Sequence, residues 1–208
     1  MSVLEIIGVI VSALAIWLTA RRKMLCWPVG LVSVALYGWI FYDAKLYSDM
    51  LLQGAFAVLQ VYGWWRWLAQ QRNDEAPASG GEVRVRVVPL IGLLPGLLAA
   101  AVGSVALGWL MARLTDAALP FVDASLTSFS LVAQYWTARR YIASWWLWTA
   151  VNVVYVGMFV FKGLYPTSGL YAFFIVLAVI GWRDWSKALE NDAPTPDTGD
   201  HDTAARAA

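Results

Sequence analysis

The chain has 208 residues, 60% of them hydrophobic and 14% charged, with a net charge of +1 and a mean hydropathy of +0.60. That balance holds more apolar surface than a water-soluble core of this size can hide, and it gives no charge excess to attract a nucleic acid or another polyanion. A single cysteine, Cys26, excludes an internal disulfide, and a single histidine, His201, excludes a His/Cys metal cluster.

Apolar runs recur at about 3–20, 25–42, 47–66, 88–111, 121–138, 142–161 and 165–183. Each is close to the roughly 20 residues that cross about 30 Å of hydrocarbon. A bilayer interior cannot satisfy bare backbone, so such runs read as helices, and their length and Leu/Ala/Val/Trp content do not suit barrel strands. The first run carries its charge after it, as Arg21, Arg22 and Lys23, whereas a secretion signal carries charge before its apolar stretch. It therefore reads as a retained span. The second holds Trp27, Gly30, Ser33 and Tyr37, and the third holds Gln53 and Gln60 seven residues apart on one helical face. The third ends in Trp64, Trp65 and Trp67, which read as an aromatic belt at the lipid headgroups, as do Trp182 and Trp185 after the seventh run, with Arg66 and Arg183 snorkelling beside them.

Residues 70–82, with Asn73, Asp74, Pro77, Ser79, Gly80 and Gly81, read as a mobile polar linker. The fourth run carries a GxxxG at Gly92 and Gly96 interrupted by Pro95, a weak helix-contact signal. The fifth offers Thr127, Ser130 and Gln134, although hydroxyls in membrane helices commonly bond their own backbone. In the sixth, Trp145, Trp148, Asn152, Tyr155 and Phe159 recur at spacings of three, four, three and four and share one face. Asn152 is the strongest single candidate, because an amide in hydrocarbon is costly unless it faces protein or a wet cavity; the plainer alternative is that it glues two helices together. After Trp185 the chain becomes polar and reads as a disordered tail.

Lys and Arg collect on one side of the seven runs, as Arg21, Arg22, Lys23, Arg66, Arg72, Arg84, Arg86, Arg139, Arg140, Arg183, Lys187 and Arg206, against Lys45, Arg113 and Lys162 on the other. The positive-inside rule then puts the N-terminus outside and the C-terminus in the cytoplasm.

Sliding the chain against itself by 118 residues superposes Thr19-Ala20-Arg21-Arg22 on Thr137-Ala138-Arg139-Arg140 without a gap over the rest. Trp27 meets Trp145, Tyr37 meets Tyr155, Phe41 meets Phe159, and Gly63-Trp64 with Trp67 meets Gly181-Trp182 with Trp185. About nineteen of some sixty-three aligned pairs are identical, which marks an internal repeat. Three helices reverse the chain's direction, so two like-oriented copies need one helix between them. The fold expected is all-α: 1–69 and 121–187 as parallel three-helix repeats, 70–87 as a cytoplasmic linker, 88–120 as a connecting helix and outer loop, and 188–208 as the tail. Parallel repeats of this kind build transporters whose site lies between the halves near mid-bilayer, with a duplicated scaffold that transports nothing as the competing reading. At the places equivalent to Trp148 and Asn152 the first half has Gly30 and Val34, so the scaffold is shared and the polar chemistry is not. Gly30 and Ser33 would leave space opposite the large rings.

No acidic or basic residue falls near the middle of a run; Glu5, Asp43, Asp49 and Asp123 lie towards the outer ends. That leaves no proton relay and no carboxylate cage for sodium, and predicts facilitated passage without a cofactor. Rings of Trp and Tyr suit a flat ligand, and suit a cation, because ring faces attract positive charge by about 0.5–2 kcal/mol when desolvated.

The combination Trp27-Pro28-Val29-Gly30, Tyr42, Lys45, Leu46-Tyr47-Ser48-Asp49, Gln53, Gly63-Trp64-Trp65, Trp145-x-x-Trp148 and Asn152-x-x-Tyr155 resembles the PnuC nicotinamide riboside transporters, over residues 1 to about 187. The resemblance implies a three-plus-one-plus-three helix fold like a full-length relative of the SWEETs, a homotrimer in the bacterial inner membrane, and passage of the riboside down its gradient with cytoplasmic phosphorylation trapping it. It implies that Trp145, Trp148, Asn152 and Tyr155 line the substrate site, to which the residues add Gln60, Gln53, Tyr37 and Trp27. Similar branches of that family carry thiamine or riboflavin. A membrane enzyme acting on lipid head groups would need a base, nucleophile or metal-binding carboxylates clustered at one interface, which the sequence lacks. A structural subunit would leave Asn152→Leu harmless.

Overall fold

A computed structural model describes residues 3–43, 47–73, 83–114, 119–161, 163 and 165–191. Seven helices account for nearly all of them: α1 (Val3–Ala20), α2 (Cys26–Asp43), α3 (Tyr47–Asn73), α4 (Leu90–Leu114), α5 (Pro120–Ala138), α6 (Ala143–Phe161) and α7 (Tyr165–Asn191). Each grows from one of the seven apolar runs. Pro120 opens α5, where a missing N–H costs nothing. Gly163, at φ +71°, turns the chain between α6 and α7 and donates its N–H to the carbonyl of Val160.

Two helices end in an unusual way. Arg22 and Arg140 both stand in the left-handed region, at φ 54° and 64°. The following residue in each case bonds back five places, Lys23 N–H to Leu18 C=O and Tyr141 N–H to Trp136 C=O, while Arg22 and Arg140 bond to Thr19 and Thr137. These are Schellman caps with arginine where glycine is usual, each bearing of the order of 1 kcal/mol of backbone strain. The two caps are 118 residues apart.

Helix α2 packs between α1 and α3, and α6 between α5 and α7; α1 crosses to α7, α3 crosses to α5, and α4 lies against α5. At the end where α1 and α5 finish, four tryptophans form a chain through the interior. Trp27 meets Trp67 edge-on at 5.2 Å, Trp67 meets Trp185 at 6.3 Å, and Trp185 meets Trp145 edge-on at 5.4 Å. Gly63 and Gly181 make room for it: a Cβ on either would run into the ring of Trp27 or Trp145. Trp67 and Trp185 are fully buried, so the belt reading fails for both. Their rings point inward against Trp27 and Trp145, which fill the gaps left by Gly63 and Gly181, and of the five belt candidates only Trp65, at 61% exposed, looks outward as a belt residue would.

The end of the linker is also held. Val83 and Val85 are buried among the same tryptophans, and Arg86 exchanges backbone hydrogen bonds with the second cap, donating to Arg140 C=O at 2.9 Å and accepting from Ile142 N–H at 3.0 Å. Residues 74–82, expected to be mobile, and the tail from 192 on lie outside the described residues; α7 itself continues to Asn191.

The outer surface is apolar well beyond what a water-soluble protein presents, with Val3, Leu51, Leu90, Ile91, Leu98 and Phe161 among many exposed examples. Lipid is the solvent that surface suits. Helices α1, α4, α6 and α7 are long and apolar enough to cross a membrane, which makes this a multi-pass membrane protein. Helices α2, α3 and α5 have similar or greater length and carry Tyr37, Gln53, Gln60, Thr127, Ser130 and Gln134 within them.

Candidate functional site

A chamber of about 1000 Å³ runs between the two three-helix groups, at the upper end of the size that suits a small organic ligand. All eight residues singled out from the sequence line it: Trp27, Tyr37, Gln53, Gln60, Trp145, Trp148, Asn152 and Tyr155. So do Thr127, Ser130 and Gln134, for which backbone bonding had been the plainer expectation. Among the described residues, hydroxyls that bond a carbonyl one turn back include those of Ser12, Thr19, Ser104, Ser125, Thr137 and Thr149. Polar side chains on α2, α3 and α5, among them Ser33, Gln53, Gln60, Thr127, Ser130 and Gln134, therefore have a physical outlet in the chamber.

Much of the lining comes in pairs 118 residues apart. Ser12 and Ser130, Thr19 and Thr137, Trp27 and Trp145, Tyr37 and Tyr155, Phe41 and Phe159, and Phe56 and Phe174 all face the same space. The pairs that differ give the chamber its polarity. Ile16 stands for Gln134, Val34 for Asn152, Gln53 for Tyr171 and Gln60 for Ala178. One substitution is reciprocal: where the second half has Trp148 and Ala178, the first has Gly30 and Gln60. The Gln60 amide occupies the place a Cβ of Gly30 would need. The space expected beside Gly30 is thus filled by an amide, and Ser33 bonds Ser12 at 2.6 Å.

Asn152 is only 7% exposed and lines the chamber. One turn earlier, the Trp148 indole N–H donates to Thr137 Oγ1 at 3.2 Å, which fixes the ring's orientation. Trp145 lies deeper, 3% exposed, and its N–H has no hydrogen-bond partner among the described residues; nor has that of Trp27. Towards the other end Tyr155 stacks on Phe159 at 5.9 Å and 11°, and Tyr171 packs against both at 4.5 and 5.2 Å. These rings give flat apolar walls, and Asn152, Gln60, Gln53 and Gln134 give uncharged donors and acceptors between them. Among the described lining residues one is acidic, Asp123, and none is basic. No group of three or more His, Cys, Asp or Glu among the described residues is placed to hold a metal ion.

Sequence reasoning missed Thr19, Phe56, Tyr171 and Phe174 as lining residues. Two signals would have found most of them: identity across the repeat marks Thr19, Phe56 and Phe174, and Tyr171 stands where the first half has the candidate Gln53.

Residues 2–187 match the family described as Nicotinamide mononucleotide transporter. The chain is 29% identical over 204 residues to the nicotinamide riboside transporter PnuC of Escherichia coli K12, covering 89% of this chain and 85% of the relative. It is also 29% identical over 183 residues to the riboflavin/roseoflavin transporter RibM of Streptomyces davaonensis, covering 87% and 83%. A crystal structure of the vitamin B3 transporter PnuC superposes with a TM-score of 0.73 at 25% identity, over 91% of this chain and 83% of the other.

Proposed function

The chain belongs to the nicotinamide mononucleotide transporter family, and from that premise and the lining of its chamber we propose that it carries nicotinamide riboside across the bacterial inner membrane by facilitated diffusion. The observation that carries the proposal is the chamber: ring-walled, furnished with amides and hydroxyls, and free of basic side chains among its described lining residues. A pyridinium ring fits the aromatic walls and ribose hydroxyls fit Asn152, Gln60 and Gln134. A mononucleotide would bring a phosphate into a space with no Lys or Arg among its described lining residues, so that lining favours the riboside over its phosphate. The relatives named for nicotinamide riboside transport point the same way.

All seven helices cross the membrane in this reading, as two parallel repeats joined by α4. Support comes from the equivalent Schellman caps, the equivalent tryptophan pairs, and the exchange of α1 with α5 and α3 with α7 that turns the α1–α7 contact into the α5–α3 contact. The capped ends, rich in Arg, face the cytoplasm, the N-terminus lies outside, and the tryptophan chain closes the inner end of the chamber. Trp145, Trp148, Asn152, Tyr155, Gln60, Gln53, Tyr37 and Trp27 bind the substrate. Cytoplasmic phosphorylation traps the imported riboside, and the protein works as a homotrimer.

The named likeness to a riboflavin carrier makes riboflavin the second candidate. Counterflow in proteoliposomes separates them: vesicles preloaded with unlabelled nicotinamide riboside accumulate the labelled riboside transiently, and preloaded riboflavin does not support it. Exchange driven by riboflavin or thiamine, with none by the riboside, would overturn the substrate assignment.

A further inference from the structure

Asp123 is the one acidic residue among the described lining residues, and the transport reading so far gives it no task. It sits in the first turn of α5. Below it on the same helix, Thr127, Ser130, Gln134 and Thr137 follow at spacings of four, three, four and three, and all face the chamber. Val122 beside it packs in one cluster with Tyr155 and Phe159, so the carboxylate shares that end of the chamber with the stacked rings. An acid in a first helical turn has an ordinary explanation, because it complements the helix dipole. The repeat offers a control: the equivalent residue, Glu5, also stands in a first turn, that of α1, yet is not among the lining residues. Dipole complementation is common to both positions; of the two only Asp123 lines the chamber, while Glu5 stands within electrostatic reach of the lining Tyr37.

We propose that Asp123 is a specificity residue that selects cationic planar ligands over neutral ones of the same shape at the outer end of the chamber. The inference rests on the transport reading above and on its orientation. Among the described lining residues no other acidic or basic group competes with this carboxylate, and a polar ladder runs down α5 from it to Thr137, which accepts from Trp148. Rings alone attract a cation only over their faces, whereas a carboxylate acts along the approach as well.

The test compares two ligands of nearly identical shape, the cationic riboside and its uncharged 1,4-dihydro form, by calorimetry on purified full-length protein. Asp123→Asn weakens binding of the cation by about three- to tenfold, as one partly screened charge allows, and leaves the dihydro form unchanged. Asp123→Glu keeps the preference. In the unaltered protein the ratio of the two affinities falls as salt rises, a readout that stands even if Asp123→Asn fails to fold. Equal changes for both ligands, or a ratio that neither variant nor salt moves, would overturn the proposal. Asn152→Leu keeps the two ideas apart: if it abolishes binding of both ligands while Asp123→Asn leaves their ratio intact, the transport site stands and the charge selection falls. If the unaltered protein binds neither ligand, both fall.

Discussion

Replacing Asn152 by leucine, which is close to it in size, removes the amide while keeping the bulk. Asn152 is 7% exposed and lines the chamber, so its loss leaves a ribose hydroxyl facing apolar atoms. An unmet buried polar group costs about 1–3 kcal/mol, which corresponds to a dissociation constant raised roughly 5- to 150-fold. Stability moves the other way or hardly at all, since leucine suits a low-dielectric interior at least as well as an amide. Calorimetric titration of nicotinamide riboside into the purified variant, beside a thermal melt in the same detergent, reads both effects. A normal dissociation constant with a lowered melting temperature would refute the reasoning and return Asn152 to the role of helix glue.

Gly30→Trp imports the second half's residue into the first, where the indole collides with the Gln60 amide; the melting temperature falls, consistent with an overpacking cost of about 1–3 kcal/mol. Adding Gln60→Ala reproduces the Trp148–Ala178 arrangement and recovers most of the loss, measured by the same melt. Gly181→Ala destabilises comparably, because its new methyl group meets Trp145. Because the one acid among the described lining residues sits in the first turn of α5, uptake into proteoliposomes changes less than about twofold on adding a proton ionophore or replacing sodium by potassium, whereas a coupled carrier would lose accumulation.

The helices were legible because each is a long apolar run; their ends fell within a few residues except where α3 and α7 continue as polar helix to Asn73 and Asn191. The candidate site was legible for a different reason. A helical face carrying Trp145, Trp148, Asn152 and Tyr155 has only one way to hide its amide, and the 118-residue repeat located its partner face. Inward and outward tryptophans were not distinguishable by position alone, so Trp67 and Trp185 were misplaced; the glycines one turn before them, Gly63 and Gly181, held the clue. Val83-Arg84-Val85-Arg86-Val87 alternates with the period of an extended strand, and two of those valines are buried, but their place in a polar linker concealed the pattern. The filling of Gly30's space by Gln60 depends on how α2 and α3 approach each other, which no one-dimensional pattern specifies.

The central claim is that a planar solute occupies the chamber between the two three-helix groups. A structure determined with nicotinamide riboside bound tests it most directly. The account predicts density for the ligand between α3 and α6, its ribose within hydrogen-bond distance of Asn152 or Gln60 and its ring against Trp148 or Tyr155. Density only on the lipid-facing surface, or an empty chamber at saturating ligand, would contradict it.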